Sequence, residues 1–257
     1  NYPYGAFQLD FRAFQFLIIL PNLFFFTLVI LAGLFGTPVG NRNFSIIFVW
    51  IVWWALLIMF LIPLGARAWC TMCPIPAVGE WVQRRAVVAP SSGRPTSLGR
   101  DWPKPLRNIW VQNLSFVAVA SFSALILTRP FVTGALLLGF MILALALFLV
   151  YRRRAFCRYV CPVSGFIGLY SGAAPVELRV KDPDVCLAHC GIQGKECIKG
   201  SARGYGCPWY EYPGTLDRDA YCGLCTECLK TCPQDNLALN LRPLGADLLV
   251  PKRRLDE

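Results

Sequence analysis

Charged side chains and histidine are what this sequence has least of. Only 16% of the 257 residues are charged and 56% are hydrophobic, a balance too apolar for an ordinary soluble domain. The single histidine, His189, lies far from every long apolar run. A haem inside a membrane normally takes histidine ligands from the helices, so the sequence predicts no such haem. The chain also has no glycine-rich dinucleotide loop or P-loop motif of the expected kind.

The apolar residues are gathered into four uncharged runs, each long enough to cross roughly 30 Å of hydrocarbon. They are residues 13–36, 44–63, 109–128 and 131–151. Four such runs in so short a chain favour transmembrane helices over the buried helices of a soluble core.

Basic residues predict which side of the membrane the loops occupy. Arg42 and Arg129 are the only basic residues in two of the connections, whereas residues 64–108 hold seven and residues 152–154 are all arginine. By the positive-inside rule, both termini and the 64–108 loop face the cytoplasm from the inner membrane. Every cysteine then lies in a reducing compartment, where disulfides are rare. Anionic lipid accounts for the net charge of +10, so we expect no nucleic-acid partner.

The most specific motif lies near the C-terminus. Its spacing is C-x2-C-x2-C-x3-C-P, formed by Cys222, Cys225, Cys228, Cys232 and Pro233. The bacterial cysteine run that ligates a cubane [4Fe-4S] cluster has this spacing. A structural zinc site more often shows two well-separated C-x2-C pairs, so zinc is the less favoured interpretation.

A second, stretched cysteine set precedes this motif. In two-cluster ferredoxins the fourth cysteine of each run serves the other cluster. This rule assigns cluster one to Cys186, Cys190, Cys197 and Cys232, and cluster two to Cys207, Cys222, Cys225 and Cys228. The alternative is one cluster with four incidental cysteines. His189 lies inside the first set, and we expect it to tune a cluster through hydrogen bonding more than to ligate iron.

Two further cysteine pairs follow the apolar runs, and a proline closes each pair. They are Cys70 with Cys73, and Cys157 with Cys161. Each comes after two apolar runs and a basic residue or cluster, which indicates two parallel hairpin repeats. Such a repeat brings the four thiols together as a third iron–sulfur centre at the membrane surface. The alternative is that each pair is only a packed turn, and the spacings C-x2-C and C-x3-C make any symmetry imperfect.

Polar residues within the apolar runs are candidates for a function such as quinone binding. These are Pro21 with Asn22 in the first run, and Gln112 with Asn113 in the third. The alternatives are that Pro21 merely kinks its helix and that the amides are interfacial.

Paired C-x2/3-C-P motifs after transmembrane hairpins, followed by a two-cluster tail, resemble the membrane polyferredoxins of the NapH and NosR type. The resemblance is most specific at residues 157–165 and 222–233. It implies a protein of the cytoplasmic membrane that relays electrons between the quinone pool, or a cytoplasmic donor, and a partner oxidoreductase.

We therefore expect an all-α transmembrane bundle of four spans at residues 1–172, with a small α+β ferredoxin-like domain at 173–242 and a C-terminal extension at 243–257. The expected function is that of an iron–sulfur electron-transfer subunit in a membrane respiratory complex, with lipid and the other subunits as partners. A rival function is metal handling or assembly, in which the juxtamembrane thiols bind or reduce copper. A membrane scaffold with zinc-bound cysteines is the third alternative.

Overall fold

The computed structural model describes residues 14–87, 96–193, 195–216 and 218–249, without the side chains of residues 14 and 190–193. In chain order, the helices before the first strand are α1 (Phe14–Phe35), α2 (Phe44–Gly65), α3 (Ala68–Met72), α4 (Ala77–Arg84), α5 (Trp110–Ser121), α6 (Ser123–Thr128), α7 (Pro130–Val150) and α8 (Pro162–Ser171). A π-helical turn, Phe156–Val160, precedes α8, and π-helical segments also widen α2.

Helices α1, α2 and α7 are long and apolar enough to cross a membrane. Only 22%, 28% and 22% of their most apolar stretches is buried inside the protein. Apolar side chains such as those of Phe24, Ile51 and Phe131 therefore remain exposed. Lipid is the environment in which such faces are stable. The chain is a multi-pass membrane protein.

The apolar run at 109–128 differs from the other three because it forms two helices. Helix α5 ends at Ser121 and α6 begins at Ser123, with Phe122 between them at φ −95° and ψ 13°. Serine side chains compete for nearby backbone groups, which makes the Ser121–Phe122–Ser123 segment a weak point in a helix. The fourth crossing expected here stays a prediction.

Helices α1 and α7 approach closely at a pair of glycines. A Cβ added to Gly33 would lie 2.9 Å from the Cα of Gly134, and one added to Gly134 would lie 3.1 Å from the backbone of Gly33. Small residues let membrane helices pack backbone to backbone. The Trp50 indole of α2 donates to Thr133 Oγ1 of α7 at 3.2 Å, which joins the third long helix to the pair.

The C-terminal region is organised around a two-stranded antiparallel sheet. Its elements are β1 (Val176–Val180), α9 (Pro183–Gln193), α10 (Glu196–Lys199), α11 (Glu227–Thr231) and β2 (Leu237–Leu241). Val176 pairs with Leu241 and Val180 with Leu237, so the strands bracket all eight tail cysteines. Leu178 and Leu237 pack in one apolar core with Cys197 and Cys228. The expectation of a mainly helical protein with a small α+β region is confirmed in this coarse form, whereas the domain boundaries stay predictions.

Candidate metal centres

Three of the twelve cysteines end a helical turn because a proline follows them. Cys73, Cys161 and Cys232 have φ values of −64°, −63° and −71° and ψ values of 127°, 118° and 114°. The ring of a proline disfavours the helical region for the residue before it. The chain therefore leaves each helix at the thiol, and the cysteine occupies a corner where it can face inward.

The second juxtamembrane pair contains one residue more than the first, and a π-helical turn takes it up. The Cys161 N–H donates to the carbonyl of Phe156, five residues earlier, at 2.9 Å. Cys70 lies instead on the α-helical turn of α3. A π turn accommodates one additional residue without ending the helix. The unequal spacing is therefore absorbed before the chain reaches Cys161.

The structure brings the two juxtamembrane pairs together. Cys70, Cys73, Cys157 and Cys161 line one cavity of about 190 Å³, whose remaining wall is mostly aromatic and aliphatic. Cys70 and Cys157 are each 7% exposed. Four sulfur donors sheltered from water are the ligand set that an iron–sulfur cluster requires.

Burial and mutual repulsion oppose ionisation of these thiols. Burial raises the pKa of Cys161 to about 11, against opposing hydrogen bonds from backbone N–H groups of residues 163 and 164. Burial also raises the pKa of Cys157 well above its usual value, although Arg154 opposes the shift, and Cys161 and Cys73 raise it further. Thiolates are the forms that bind metal, so metal binding here must release protons.

A buried ion-pair network lies beside this cavity. Glu80 accepts from Arg154 Nε at 2.8 Å and also pairs with Arg84. Arg154 is 2% exposed, and its Nη1 donates to the carbonyl of Cys70 at 2.9 Å. Burial works against the charge on Arg154, but Glu80, Cys157 and Cys225 raise the pKa of its guanidinium. The charge on Arg154 therefore interacts with both a juxtamembrane thiol, Cys157, and a tail thiol, Cys225.

The second tail set is compact and buried. Burial raises the pKa of Cys222 to about 12, and Cys207 contributes to that rise. Burial also raises the pKa of Cys228 well above its usual value, and the neighbouring thiols Cys225, Cys222, Cys207 and Cys197 raise it further. Cys207 therefore lies near the C-x2-C-x2-C run, and its assignment to cluster two stays a prediction.

Left-handed backbone positions shape the loop that carries this run. Leu224 and Thr226 have φ of 49° and 58°, which is unusual for residues other than glycine. Each follows a residue of ordinary backbone, and such alternation turns successive N–H groups toward an anion. The backbone N–H groups of Leu224 and Glu227 oppose the rise in the pKa of Cys222 and Cys225.

The first tail set surrounds a separate cavity. Cys186, Cys197 and Cys232 line it together with His189. Cys190 lies on α9, but its side chain is outside the described residues. The Tyr212 hydroxyl lies 3.3 Å from Cys186 Sγ, and His189 Nδ1 contacts Gln234 Nε2 at 3.2 Å.

Each of the two cysteines expected to ligate the cluster of the other run accepts a hydrogen bond from a backbone N–H group. The N–H of Glu211 donates to Cys207 Sγ, and the N–H of Asn236 donates to Cys232 Sγ, each at 3.4 Å and each from four residues later. Pro208 and Pro233 follow the two cysteines. N–H donors to sulfur stabilise thiolates and tune a bound cluster.

The three sets form a contiguous series. The Cys207 N–H donates to the Cys197 carbonyl at 2.8 Å, which joins the two tail sets. Thr71 Oγ1, in the first juxtamembrane motif, donates to the carbonyl of Gly223 in the tail motif at 2.5 Å. Together with Arg154, these contacts hold the tail loop against the membrane-surface motifs.

A site for a single metal ion needs its ligands closer together than a site for a cluster does. Within residues 14–87, 96–193, 195–216 and 218–249, no three His, Cys, Asp or Glu side chains are arranged to hold one metal ion. A cubane takes each thiolate on a different iron, so its ligands lie farther apart than those of zinc. Every proposed ligand in the three sets is a cysteine sulfur, and this donor chemistry fits a cubane.

Two of the quinone-candidate amides, those of Asn22 and Gln112, donate hydrogen bonds to backbone carbonyls. Asn22 Nδ2 donates to the carbonyl of Ile18 at 2.9 Å, within the same helix, and α1 continues through Pro21. Gln112 Nε2 donates to the carbonyls of Cys157 and Arg158 at 3.1 and 2.7 Å. Gln112 thus holds the second cysteine motif in place.

Sequence reasoning missed the buried charges around the juxtamembrane thiols, although two signals were present. The first is a shared R-A-aromatic-C pattern, with Arg67 and Arg154 each three residues before the first cysteine of a pair. The second is Glu80, the only acidic residue between Asp10 and Asp101. In the structure Arg154 bonds to the first motif and Arg67 Nη2 donates to the carbonyl of Ser164, just after the second, at 2.6 Å.

Comparison with known families adds an independent observation. A family described as "4Fe-4S binding domain" matches residues 46–95 and 133–179. Each segment contains one juxtamembrane cysteine pair with the long helix before it. No curated protein and no solved structure matches the chain. The chain is a 4Fe-4S binding membrane protein, as its buried thiols and its three membrane-length helices also indicate.

Proposed function

We propose that this chain is the iron–sulfur electron-transfer subunit of a membrane respiratory oxidoreductase complex of the NapH and NosR type. The observation that carries this proposal is the contiguous series of three cysteine sets from the tail to the membrane surface. A bound [4Fe-4S] cluster supplies reversible one-electron oxidation and reduction. Neighbouring sets of this kind suit a relay, since isolated structural metal sites have no need to adjoin.

In this proposal each set holds one cluster. Cluster one is held by Cys186, Cys190, Cys197 and Cys232, cluster two by Cys207, Cys222, Cys225 and Cys228, and the third by Cys70, Cys73, Cys157 and Cys161. Backbone N–H groups offset the negative charge on the sulfurs, while Arg154 offsets it between the second and third sets. Burial keeps water from the thiolates.

The proposed topology keeps four crossings. Helices α5 and α6 together span residues 110–128 and would complete the fourth crossing as a broken helix. The two family matches each contain one cysteine pair, which supports two hairpin repeats in residues 1–172. With the ferredoxin-like region at 173–242, the basic residues favour placing the tail and both termini on the cytoplasmic side of the inner membrane.

Quinone is the proposed membrane-side redox partner. Asn22 and aromatic side chains of α1, α2 and α7 line the same cavity as the four juxtamembrane thiols. An apolar cavity with a few polar groups is the usual form of a small-molecule site. A quinone ring in this cavity would lie next to the third set.

The test is the iron and sulfide content of anaerobically purified protein, with low-temperature EPR. Three cubanes require about twelve irons per chain, and the tail alone requires about eight. Cys225→Ser should remove about four irons from the second set and leave the third set's EPR signal. Iron-free protein that retains copper would contradict the proposal and favour the metal-handling function.

A further inference from the structure

A second, larger cavity lies where the membrane region meets the tail. Its volume is about 480 Å³, and it is called here the arginine cavity. Its wall has one acidic residue, Asp101, and six arginines: Arg67, Arg107, Arg152, Arg153, Arg154 and Arg158. The excess of guanidinium groups makes this cavity strongly attractive to an anion.

Three of these arginines already have a carboxylate partner. Arg154 pairs with Glu80, Arg158 Nη2 contacts Glu211 Oε1 at 2.7 Å, and Arg152 Nε lies 3.6 Å from Asp101. The other three, Arg67, Arg107 and Arg153, form no ion pair with any residue in the described part of the chain. Within the described residues, no ion pair therefore neutralises these three guanidinium groups, although the Glu211 carboxylate also acts electrostatically on Arg67.

Arg67 is the most deeply buried of these three arginines, and its guanidinium carbon lies 4.8 Å from the centroid of the Trp209 ring. It is 3% exposed, and its Nη2 donates to the carbonyl of Ser164. Its Nε and Nη1 are buried and have no hydrogen-bond partner among the described residues. Its counterpart Arg154, also three residues before a cysteine, has Glu80. Buried, unsatisfied donors on a charged group are costly, so a ligand that accepts from them would be stabilised.

The position of the cavity also suits a phosphate group. Arg152 comes two residues after the end of α7, so the wall lies at the level where a membrane helix leaves the hydrocarbon. Trp102 and Tyr159, both in the wall, stack with ring centroids 5.2 Å apart and planes 6° apart. Guanidinium forks match phosphate oxygens, and amphipathic rings favour the interfacial depth.

We propose that the arginine cavity binds a phosphate-bearing anion, with Arg67 and Arg107 as its principal ligands. This cavity is a different one from the cavity that the cysteines line, and the proposal does not require those thiols to carry electrons. Arg67 lies near both cavities, since it also opposes the rise in the pKa of Cys70 and Cys161. The phosphate belongs either to an anionic lipid headgroup or to a soluble phosphate compound. Both sources present the same oxygens to the guanidiniums.

The experiment uses the full chain, purified anaerobically with its clusters. Inorganic pyrophosphate is titrated calorimetrically into protein in an uncharged detergent, and phosphatidylglycerol retention is measured by native mass spectrometry. The exposed Arg107→Gln is the main variant, and the buried Arg67→Gln is the second. Arg100→Gln is the matched control, because Arg100 is exposed on the same face but does not line the cavity. Cluster absorbance verifies that each variant is folded.

We expect one saturable anion per chain, and Arg107→Gln should weaken its binding by about tenfold, while Arg100→Gln changes it by less than about twofold. Binding of phosphatidylglycerol alone identifies the lipid as the source, and binding of pyrophosphate alone identifies a soluble phosphate. The proposal is overturned if neither probe binds, or if Arg100→Gln weakens binding as much as Arg107→Gln.

Discussion

The two juxtamembrane cysteine pairs reach one cavity by different local routes. Cys70 and Cys73 are three residues apart and use an α-helical turn, whereas Cys157 and Cys161 are four residues apart and use a π-helical turn. The second cysteine of each pair has nearly the same extended backbone before its proline. The comparison teaches that the width of the helical turn places the thiols, so unequal spacing does not prevent a shared site.

The same two motifs brace each other across the halves. Arg67 donates to the backbone after the second pair, and Arg154 donates to the backbone of Cys70 in the first. Only Arg154 has a carboxylate, Glu80, which comes from the first half. The halves are therefore alike in their hydrogen bonds and unlike in their ion pairs, because Arg154 pairs with Glu80 whereas Arg67 forms no ion pair within the described residues.

The largest expected effect comes from removing one thiol from either pair. Cys73→Ser and Cys161→Ser should each lower the iron content from about twelve to about eight per chain, since both thiols serve one cluster. Anaerobic iron analysis measures the loss, and EPR of the tail clusters is the internal control. Loss of iron in only one of the two variants would contradict a site shared by the halves.

Removing the ion pairs of Glu80, one of which joins the two halves, should have the next largest effect. Glu80→Gln leaves Arg84 and Arg154 buried without a carboxylate, and we expect a loss of about 3–5 kcal/mol in the free energy of unfolding. Thermal unfolding in detergent, followed by cluster absorbance, measures it. Glu211→Gln is the control, because its partner Arg158 is less buried, and it should cost clearly less.

This loss should depend on pH. Burial opposes ionisation of Glu80, but Arg154 and Arg84 outweigh it and lower the pKa of the carboxyl. The ion pairs therefore stabilise the folded chain above the ordinary pKa of about 4.3, and that contribution is lost as pH falls through the lower folded-state value. The difference between Glu80→Gln and the unmodified chain should shrink in acid. A difference that grows in acid would contradict a lowered pKa for the Glu80 carboxyl.

A smaller effect is expected from making the spacings equal. Insertion of alanine between Met72 and Cys73 converts the first pair to C-x3-C. If a π-helical turn takes up the residue as it does in the second half, the chain keeps about twelve irons and loses only a little thermal stability. Insertion between Pro38 and Val39, in an exposed loop away from the cysteine motifs in the chain, is the control. A fall to about eight irons would show that the first half cannot widen its turn.

The smallest effect concerns one hydrogen bond in the tail. The Tyr212 hydroxyl lies 3.3 Å from both the Sγ and the carbonyl oxygen of Cys186. Once Sγ is a thiolate on a cluster, the hydroxyl can donate to it, so Tyr212→Phe removes a donor that favours the reduced cluster. The reduction potential of one tail cluster should fall by an amount on the order of 50 mV, since a tenfold change in a one-electron equilibrium constant corresponds to about 59 mV. Redox titration measures it. Tyr205→Phe should leave all potentials unchanged, because its hydroxyl contacts Gln83 rather than a sulfur; equal shifts in both variants would contradict this assignment.

Prediction from the sequence succeeded where the signal is local or periodic. The apolar runs around α1, α2 and α7 coincide with the membrane-length helices. The run at 109–128 looked equivalent, but its hydropathy does not reveal that the helix is interrupted at Phe122. Hydropathy measures transfer to lipid, whereas helix continuity depends on each backbone hydrogen bond.

The cysteine chemistry was determined by the sequence alone, because thiol spacing, proline positions and the scarcity of histidine limit which cofactor the chain can ligate. Only the tertiary structure decided which thiols meet, and it added the Arg154–Glu80 bridge and the arginine cavity between the halves. The physical reason is that ligand identity belongs to each residue, whereas burial and charge balance arise between segments far apart in the chain.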